Sequence, residues 1–195
     1  FKFGQGGTAF DTSGVSPAMD LSLNGDIDWV GGWGIDITSG QAQALTSTSR
    51  KLYNLITATG EYSIEAWVAP ANVVQEDTRI ISYSAGVDQR NLMLGQTLYS
   101  YDAYNRSSAT DANGEPALNT SDADEDLQAT LQHVVVNYDP INGRQIYVNG
   151  VFTDDTDPVP GGTLGDWDDS FAFVMGNEVS GNRQWTGVIR MAAIH

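Results

Sequence analysis

The sequence predicts an all-β domain of two antiparallel sheets packed face to face, with at most one short helix. Three observations carry that expectation. Short runs rich in β-branched and aromatic residues recur along the chain, bounded by Gly, Pro, Asn or Asp. The stretch from His133 to Val151 reads as a hairpin: Asp139-Pro140-Ile141-Asn142-Gly143 supplies the turn and Asn149-Gly150 the next reversal. One segment alone, Ser49 to Thr59, has apolar residues near helical spacing. Such strands need partners on both sides, and a layered sandwich supplies them.

Taken in order, Phe1 to Phe10 reads as a first strand with a glycine turn, and Ala18 to Leu23 as a short second one. Trp29 to Ile37 is a glycine turn leading into a strand, and Gln41 to Thr48 alternates weakly. The helix of Ser49–Thr59 is closed by Gly60. Tyr62 to Pro70 then places Ile64, Ala66 and Val68 on one face and Glu65 and Trp67 on the other. Arg79–Ser84, Asn91–Gln96 and Leu98–Ser107 continue the succession. A polar loop from Ala109 to Asp126 precedes the hairpin, and an acidic Pro/Gly link from Thr153 to Asp169 follows it. Ser170–Met175 and Gln184–Ile194 close the set. With no internal repeat or linker, residues 1–195 read as a single domain.

Charge narrows the function classes. The 25 acidic and 9 basic residues give a formal net charge of −16, and no Lys or Arg lies between Arg106 and Arg144. That distribution excludes a nucleic-acid footprint and disfavours an anionic membrane surface. No apolar run approaches the roughly 20 residues of a membrane-spanning helix. Cysteine is absent, which removes disulfides, thiolate metal sites and thiol nucleophiles. Phe1-Lys2-Phe3-Gly4 lacks the features of a signal peptide; the chain reads as a piece of a larger precursor.

The ordered motifs Phe10–Gly14, Ser63–Pro70, Asn91–Gln96, His133–Val151, Gly176–Glu178 and Trp185–Ile194 cover nearly the whole chain. Together they resemble the bacterial laminin-G-like domains of the concanavalin A-like jelly-roll superfamily. One departure is Asn149, where the family's turn usually has Asp; Asn tolerates the left-handed conformation equally well. The resemblance implies a jelly-roll β-sandwich with one concave face, and a recognition module rather than an enzyme. The implied ligand is a glycan or polysaccharide, often with a structural or bridging Ca²⁺. It implies a secreted, periplasmic or cell-surface location in a bacterial multidomain protein. A structural or protein-docking domain beside a catalytic or redox neighbour is the alternative, and a divergent polysaccharide hydrolase a second one.

Catalytic chemistry finds little in the residues themselves. Glu61-Tyr62-Ser63-Ile64-Glu65 imitates the alternating carboxylates of jelly-roll glycosidases, but Ser63 holds the central position. Retaining hydrolysis needs carboxyls roughly 5–5.5 Å apart, whereas i and i+4 on a strand lie about 13 Å apart. An inverting pair of Glu65 with Glu178 is the remaining option. A glycan site asks for an aromatic platform with planar polar groups, and Trp67, Gln96, Arg106, Asn177, Glu178 and Trp185 are the candidates. The competing role for Arg106 and Glu178 is a buried ion pair. For Ca²⁺, the acidic clusters give Asp122, Asp124, Asp166 and Asp168, and family analogy adds Asp11. Leu127 and His133 stand where an EF-hand needs Gly and Glu, which rejects that motif.

Overall fold

The computed structural model describes the chain apart from Lys2, Gly32 and the side chain of Asp122. Its elements in order are β1 (Gly4–Gln5), β2 (Thr8–Ala9), β3 (Leu21–Trp29), β4 (Ile35–Gln43) and α1 (Thr46–Thr59). Then come β5 (Tyr62–Pro70), β6 (Thr78–Gly86), β7 (Gln89–Thr97), β8 (Ser100–Asn105) and β9 (Leu118–Asn119). The chain finishes with β10 (Gln132–Asp139), β11 (Gly143–Val148), β12 (Val151–Phe152), β13 (Ala172–Met175) and β14 (Gly187–Ile194). No described helix is long and apolar enough to cross a membrane.

The strands form one curled antiparallel sheet in the order β12-β11-β10-β5-β14-β4-β13-β6-β7-β8-β9. Its two halves are the layers of the jelly roll, and β4 belongs to both. Residues 35–37 of β4 pair with β14 in the back layer, while Ala42 and Gln43 pair with β13 in the front layer. The back layer alternates cleanly. Tyr62, Ile64, Ala66 and Val68 of β5 and Val134, Val136 and Tyr138 of β10 are buried in the core. Ile81, Tyr83, Leu92, Leu94, Tyr101 and Ala103 enter the same core from the front layer. Burial of such side chains contributes about 1.5–3 kcal/mol each. Polar groups staple the layers together: the Tyr62 hydroxyl donates to Asn105 at 3.1 Å, and Arg144 of β11 donates to the Ala103 carbonyl of β8 at 3.0 Å.

The central hairpin lies where the sequence places it, with Val134 opposite Val148 and Asp139 opposite Gly143. Asn149 takes the left-handed conformation its turn requires, at φ 53°. Two boundaries differ from expectation. Residues 24–29 continue β3 although Gly25 and Asp26 are poor strand formers. Gly25 lies against Gly40 so closely that a Cβ would meet backbone at 2.7 Å, so this approach of β3 to β4 requires glycine. The helix begins at Thr46, earlier than expected: the Ser49 N–H closes the first turn on the Leu45 carbonyl, to which the Thr48 and Ser49 hydroxyls also donate. Ser49 also accepts the Phe173 N–H, docking the helix on the edge of β13. Gly60 closes the helix at φ 79°, its N–H donating to the Ile56 carbonyl.

Candidate functional site

The front layer does not alternate. β6, β7, β8 and β13 are buried on both faces along most of their lengths. One face is the apolar core, and the other is roofed by its own polar side chains. Val174, Ser82, Met93 and Tyr104 are register partners across β13, β6, β7 and β8, and Ser84 lies opposite Arg90 one step along. Glu178, fully buried in the loop after β13, reaches this face. It accepts hydrogen bonds from the Ser82 and Ser84 hydroxyls and from the Val179 N–H.

Two buried arginines complete the cluster. Arg79 donates to the Asp77 carboxylate at 2.6 Å, and its Nε lies 3.9 Å from Glu178. Arg90 donates through Nη2 to the Val87 carbonyl and through Nη1 to the Met93 sulfur, and its guanidinium lies 4.5 Å over the Tyr104 ring. The Nε of each arginine is buried without a hydrogen-bond partner among the described residues. Burial, then the neighbouring charge of Arg79, hold the Arg90 pKa below the usual arginine value. Burial, then the carboxylates of Glu115 and Asp102, raise the half-buried Tyr104 phenol.

A second feature is a cleft of about 560 Å³ between the helix, the Asp11–Met19 loop and the end of β14. Asp11, Lys51, Leu52, Leu55, Glu65 and His195 are among its lining. Its ionic groups are already engaged. Lys51 donates to Asp11 at 2.6 Å, Ser13 at 3.0 Å and the Val15 carbonyl at 2.6 Å. Burial pushes the Asp11 carboxyl up, but Lys51 and the N–H groups of Ser13 and Met19 outweigh it and hold the pKa well below the carboxylate range. At the other end Glu65 holds His133 at 3.0 Å and His195 at 3.1 Å, one imidazole on each oxygen.

The residues singled out from the sequence separate into different places. Trp67 is on the outer face of the back layer, stacked on His133 at 4.7 Å, and does not share a face with the others. Gln96 and Trp185 meet as partners, Nε1 to Oε1 at 2.9 Å, but inside the core with both side chains inaccessible. Asn177 shapes the loop that carries Glu178, accepting the N–H groups of Glu178 and Arg183. The ionic partner of Glu178 is Arg79 rather than Arg106, whose carbonyl accepts the Trp167 indole N–H instead. The proposed Glu65/Glu178 pair is not assembled, because one carboxylate serves the back layer and the other the front.

The expected cation ligands do not gather either. Asp11 is consumed by Lys51. Asp168 caps Ser170, whose hydroxyl and N–H hold its carboxyl below the usual range. Asp124 and Asp166 are exposed, and the Asp122 side chain lies outside the described residues. Among the described residues no group of three or more His, Cys, Asp or Glu is placed to hold a metal ion.

The sequence reading missed the arginine cluster. The run Arg79-Ile80-Ile81-Ser82-Tyr83-Ser84 does carry alternate small polar residues, which marks a polar second face. The arginines themselves are hidden by irregularities, since register shifts fall between Arg79 and Ile81 and between Tyr83 and Ser84. A bulge changes side-chain parity, so Arg79 and Arg90 join a face that simple alternation denies them.

Comparison with known proteins fits this architecture. The laminin G type model described as the concanavalin A-like lectin/glucanases superfamily matches residues 38–195. No curated protein matches. Among solved structures, the Ruminococcus gnavus IT-sialidase CBM40 bound to α2,3-sialyllactose is similar at TM-score 0.62 and 15% identity, over 83% of this chain and 89% of that one. The botulinum neurotoxin serotype C1 binding domain is similar at TM-score 0.64 and 17% identity, over 95% of this chain and 45% of that one. A botulinum neurotoxin type C structure, described as interacting with two ganglioside molecules, gives 0.62 and 13%, over 99% and 47%. The chain thus spans most of the first structure and about half of each toxin chain. At these identities the likeness is one of fold. On the family match across most of its length, the chain belongs to the laminin-G-type group of the concanavalin A-like lectin/glucanases superfamily.

Proposed function

We propose that this chain is a non-catalytic carbohydrate-recognition module. The observation that carries the reading is the polar second face of the front layer, where Ser82, Ser84, Arg79 and Arg90 of β6 and β7 and Glu178 of the loop after β13 are gathered, almost wholly buried, beside partly exposed Tyr104 of β8. Sugar recognition requires this mixture: planar groups that bridge hydroxyls, a carboxylate acceptor and an aromatic edge. The glycan-binding partners named for the similar CBM40 and toxin structures support the same reading. A hydrolase would need a second carboxyl poised across a glycosidic bond, and Glu178 is instead held by two hydroxyls and an N–H. Glycans of this class are met outside the cytoplasm, so the module belongs in an exported protein.

A panel of immobilised glycans and polysaccharides tests the proposal, with folding verified by circular dichroism. Saturable binding to a subset of the panel is expected. A folded protein that binds nothing across acidic and neutral glycans would sink it. The cleft beside the helix favours a second reading, protein docking, because exposed Val15 and Leu55 stand beside it. In that case Leu55→Asp abolishes partner capture and leaves glycan binding intact.

A further inference from the structure

The chain has nine basic residues, and three of its arginines are almost wholly buried. They are buried on different terms. Arg144 is saturated: Nε and Nη2 both donate to Asp157, Nη1 donates to the Ala103 carbonyl and Nη2 also to that of Pro116. Its charge has a carboxylate and its donors have acceptors. Arg79 has the Asp77 carboxylate at 2.6 Å, with Glu178 more distant, and an unpartnered Nε. Arg90 is 1% exposed and forms no ion pair among the described residues, the Glu178 and Glu115 carboxylates acting on it only from a distance. Its oxygen partner is the carbonyl of Val87, in the turn between β6 and β7, and its Nε has none.

A buried guanidinium without a counter-ion is costly, and folded proteins pair such groups. Both arginines neighbour Tyr104, whose ring centroid lies 4.5 Å from the Arg90 guanidinium and 6.0 Å from that of Arg79. What both arginines lack is an anionic acceptor for their Nε–H groups. A ligand carboxylate suits those Nε–H groups: it is planar, has two oxygens, and matches the guanidinium fork through parallel hydrogen bonds. The cluster comes nearest the surface at the β6–β7 turn, where residues 85 and 88–89 are exposed, and at Tyr104, which is partly exposed. The Val87 carbonyl holds the Nη2 of Arg90 in the manner that a ligand oxygen would.

We propose that the outer face of the front layer reads the carboxylate of an acidic sugar, with Arg90 as its principal receptor, Arg79 as the second cation and Tyr104 as the wall. This deepens the carbohydrate reading and rests on it. Glu178, fully buried, lies 3.9 Å from the Nε of Arg79. It is placed to accept a sugar hydroxyl and to repel a second negative group.

The experiment is a calorimetric titration of the full chain with matched probes: 3′-sialyllactose against lactose, and an oligogalacturonate against the same oligosaccharide with its carboxyls reduced to alcohols. At least one acidic probe is expected to bind at least tenfold tighter than its neutral partner. Arg90→Met removes that preference, and Arg90→Lys recovers only part of it because an ammonium lacks the fork. Equal binding of acidic and neutral partners, or an acid preference that survives in Arg90→Met, overturns the proposal and leaves carbohydrate binding standing. Absence of all sugar binding defeats the broader reading instead. If Arg90→Met does not fold, the Nε–H resonances of the wild-type arginines serve. Addition of the acidic sugar shifts those of Arg90 and Arg79 but not that of Arg144, and three unmoved signals overturn the assignment.

A sulfated sugar of the same backbone separates planar recognition from charge alone. Binding equal to that of the carboxylate sugar would show a general anion site and overturn the carboxylate assignment.

Discussion

Arg144 and Arg90 have the same side chain and nearly the same burial, and they do opposite things for the fold. Arg144 joins Asp157 to two carbonyls of the opposite layer, and Asp157 also accepts the backbone N–H groups of Arg144 and Val159. Burial pushes the Asp157 carboxyl up, but these bonds outweigh it and hold the pKa below the usual range. Removing one partner leaves the other charged and buried, which costs about 3–5 kcal/mol. Arg144→Met is therefore expected to lose about that much in urea denaturation. Arg90→Met has no carboxylate to strand and is expected to cost less than about 1 kcal/mol, or to stabilise, as at sites kept for function. Comparable losses in the two variants would refute the distinction. Asp126 and Asp155 each have one buried oxygen lacking a partner among the described residues. Burial, then the neighbouring Asp155, raise the Asp126 pKa.

At the scale of the element, the hairpin was legible because its turn chemistry and its parity agree. Tyr138 opposite Arg144 and Val136 opposite Ile146 follow from the two-residue period once Asn142-Gly143 fixes the reversal. Gly143 sits at φ 75°, and a Cβ there would meet the Asp157 carboxylate at 2.6 Å and the Pro160 Cα at 2.7 Å. Gly143→Ala is expected to destabilise by about 1–3 kcal/mol through strain and displacement of that carboxylate. An unchanged melting temperature would show that the loop carrying Asp157 moves freely. The front strands were less legible. β6 and β7 are buried on both faces, so their apolar runs do not reveal which residues face the core. Their bulges then move Arg79 and Arg90 onto the face of Ser82 and Ser84, a step no alternation rule supplies.

At the scale of the molecule, the chain ends are tied into the back layer. The Phe1 nitrogen donates to the Ala192 carbonyl, the Ala192 N–H returns to the Phe1 carbonyl, and His195 exchanges backbone bonds with Ser63. Glu65 adds a carboxylate between His133 of β10 and the terminal His195. Burial pushes the Glu65 pKa up, but hydrogen bonds from His195 and His133 outweigh it and hold it below the ordinary 4.5. A depressed folded pKa means that the contribution is complete above 4.5 and is lost as pH falls through the lower folded value. Glu65→Gln should be less stable by a few tenths to about 1 kcal/mol near pH 6, as for other partly exposed ion pairs. Its stability should also decline less steeply than the wild type between pH 4.5 and pH 3. Parallel acid limbs in the two proteins would remove Glu65 from the account.

By itself the sequence determined the class of fold, the hairpin, the alternation of β5 and the glycine that stops the helix. Each of these follows from local stereochemistry or from a period shared by neighbouring residues. It also determined an acidic chain without a nucleic-acid footprint. Tertiary structure decided which polar groups meet. It buried Trp185 with Gln96, sent Trp67 to the opposite side, gave Lys51 to Asp11 and brought Arg79, Arg90, Tyr104 and Glu178 together from four separate segments. The physical reason is that a binding surface on a curled sheet is a product of register between distant strands, and a single bulge in one of them changes which side chains it presents.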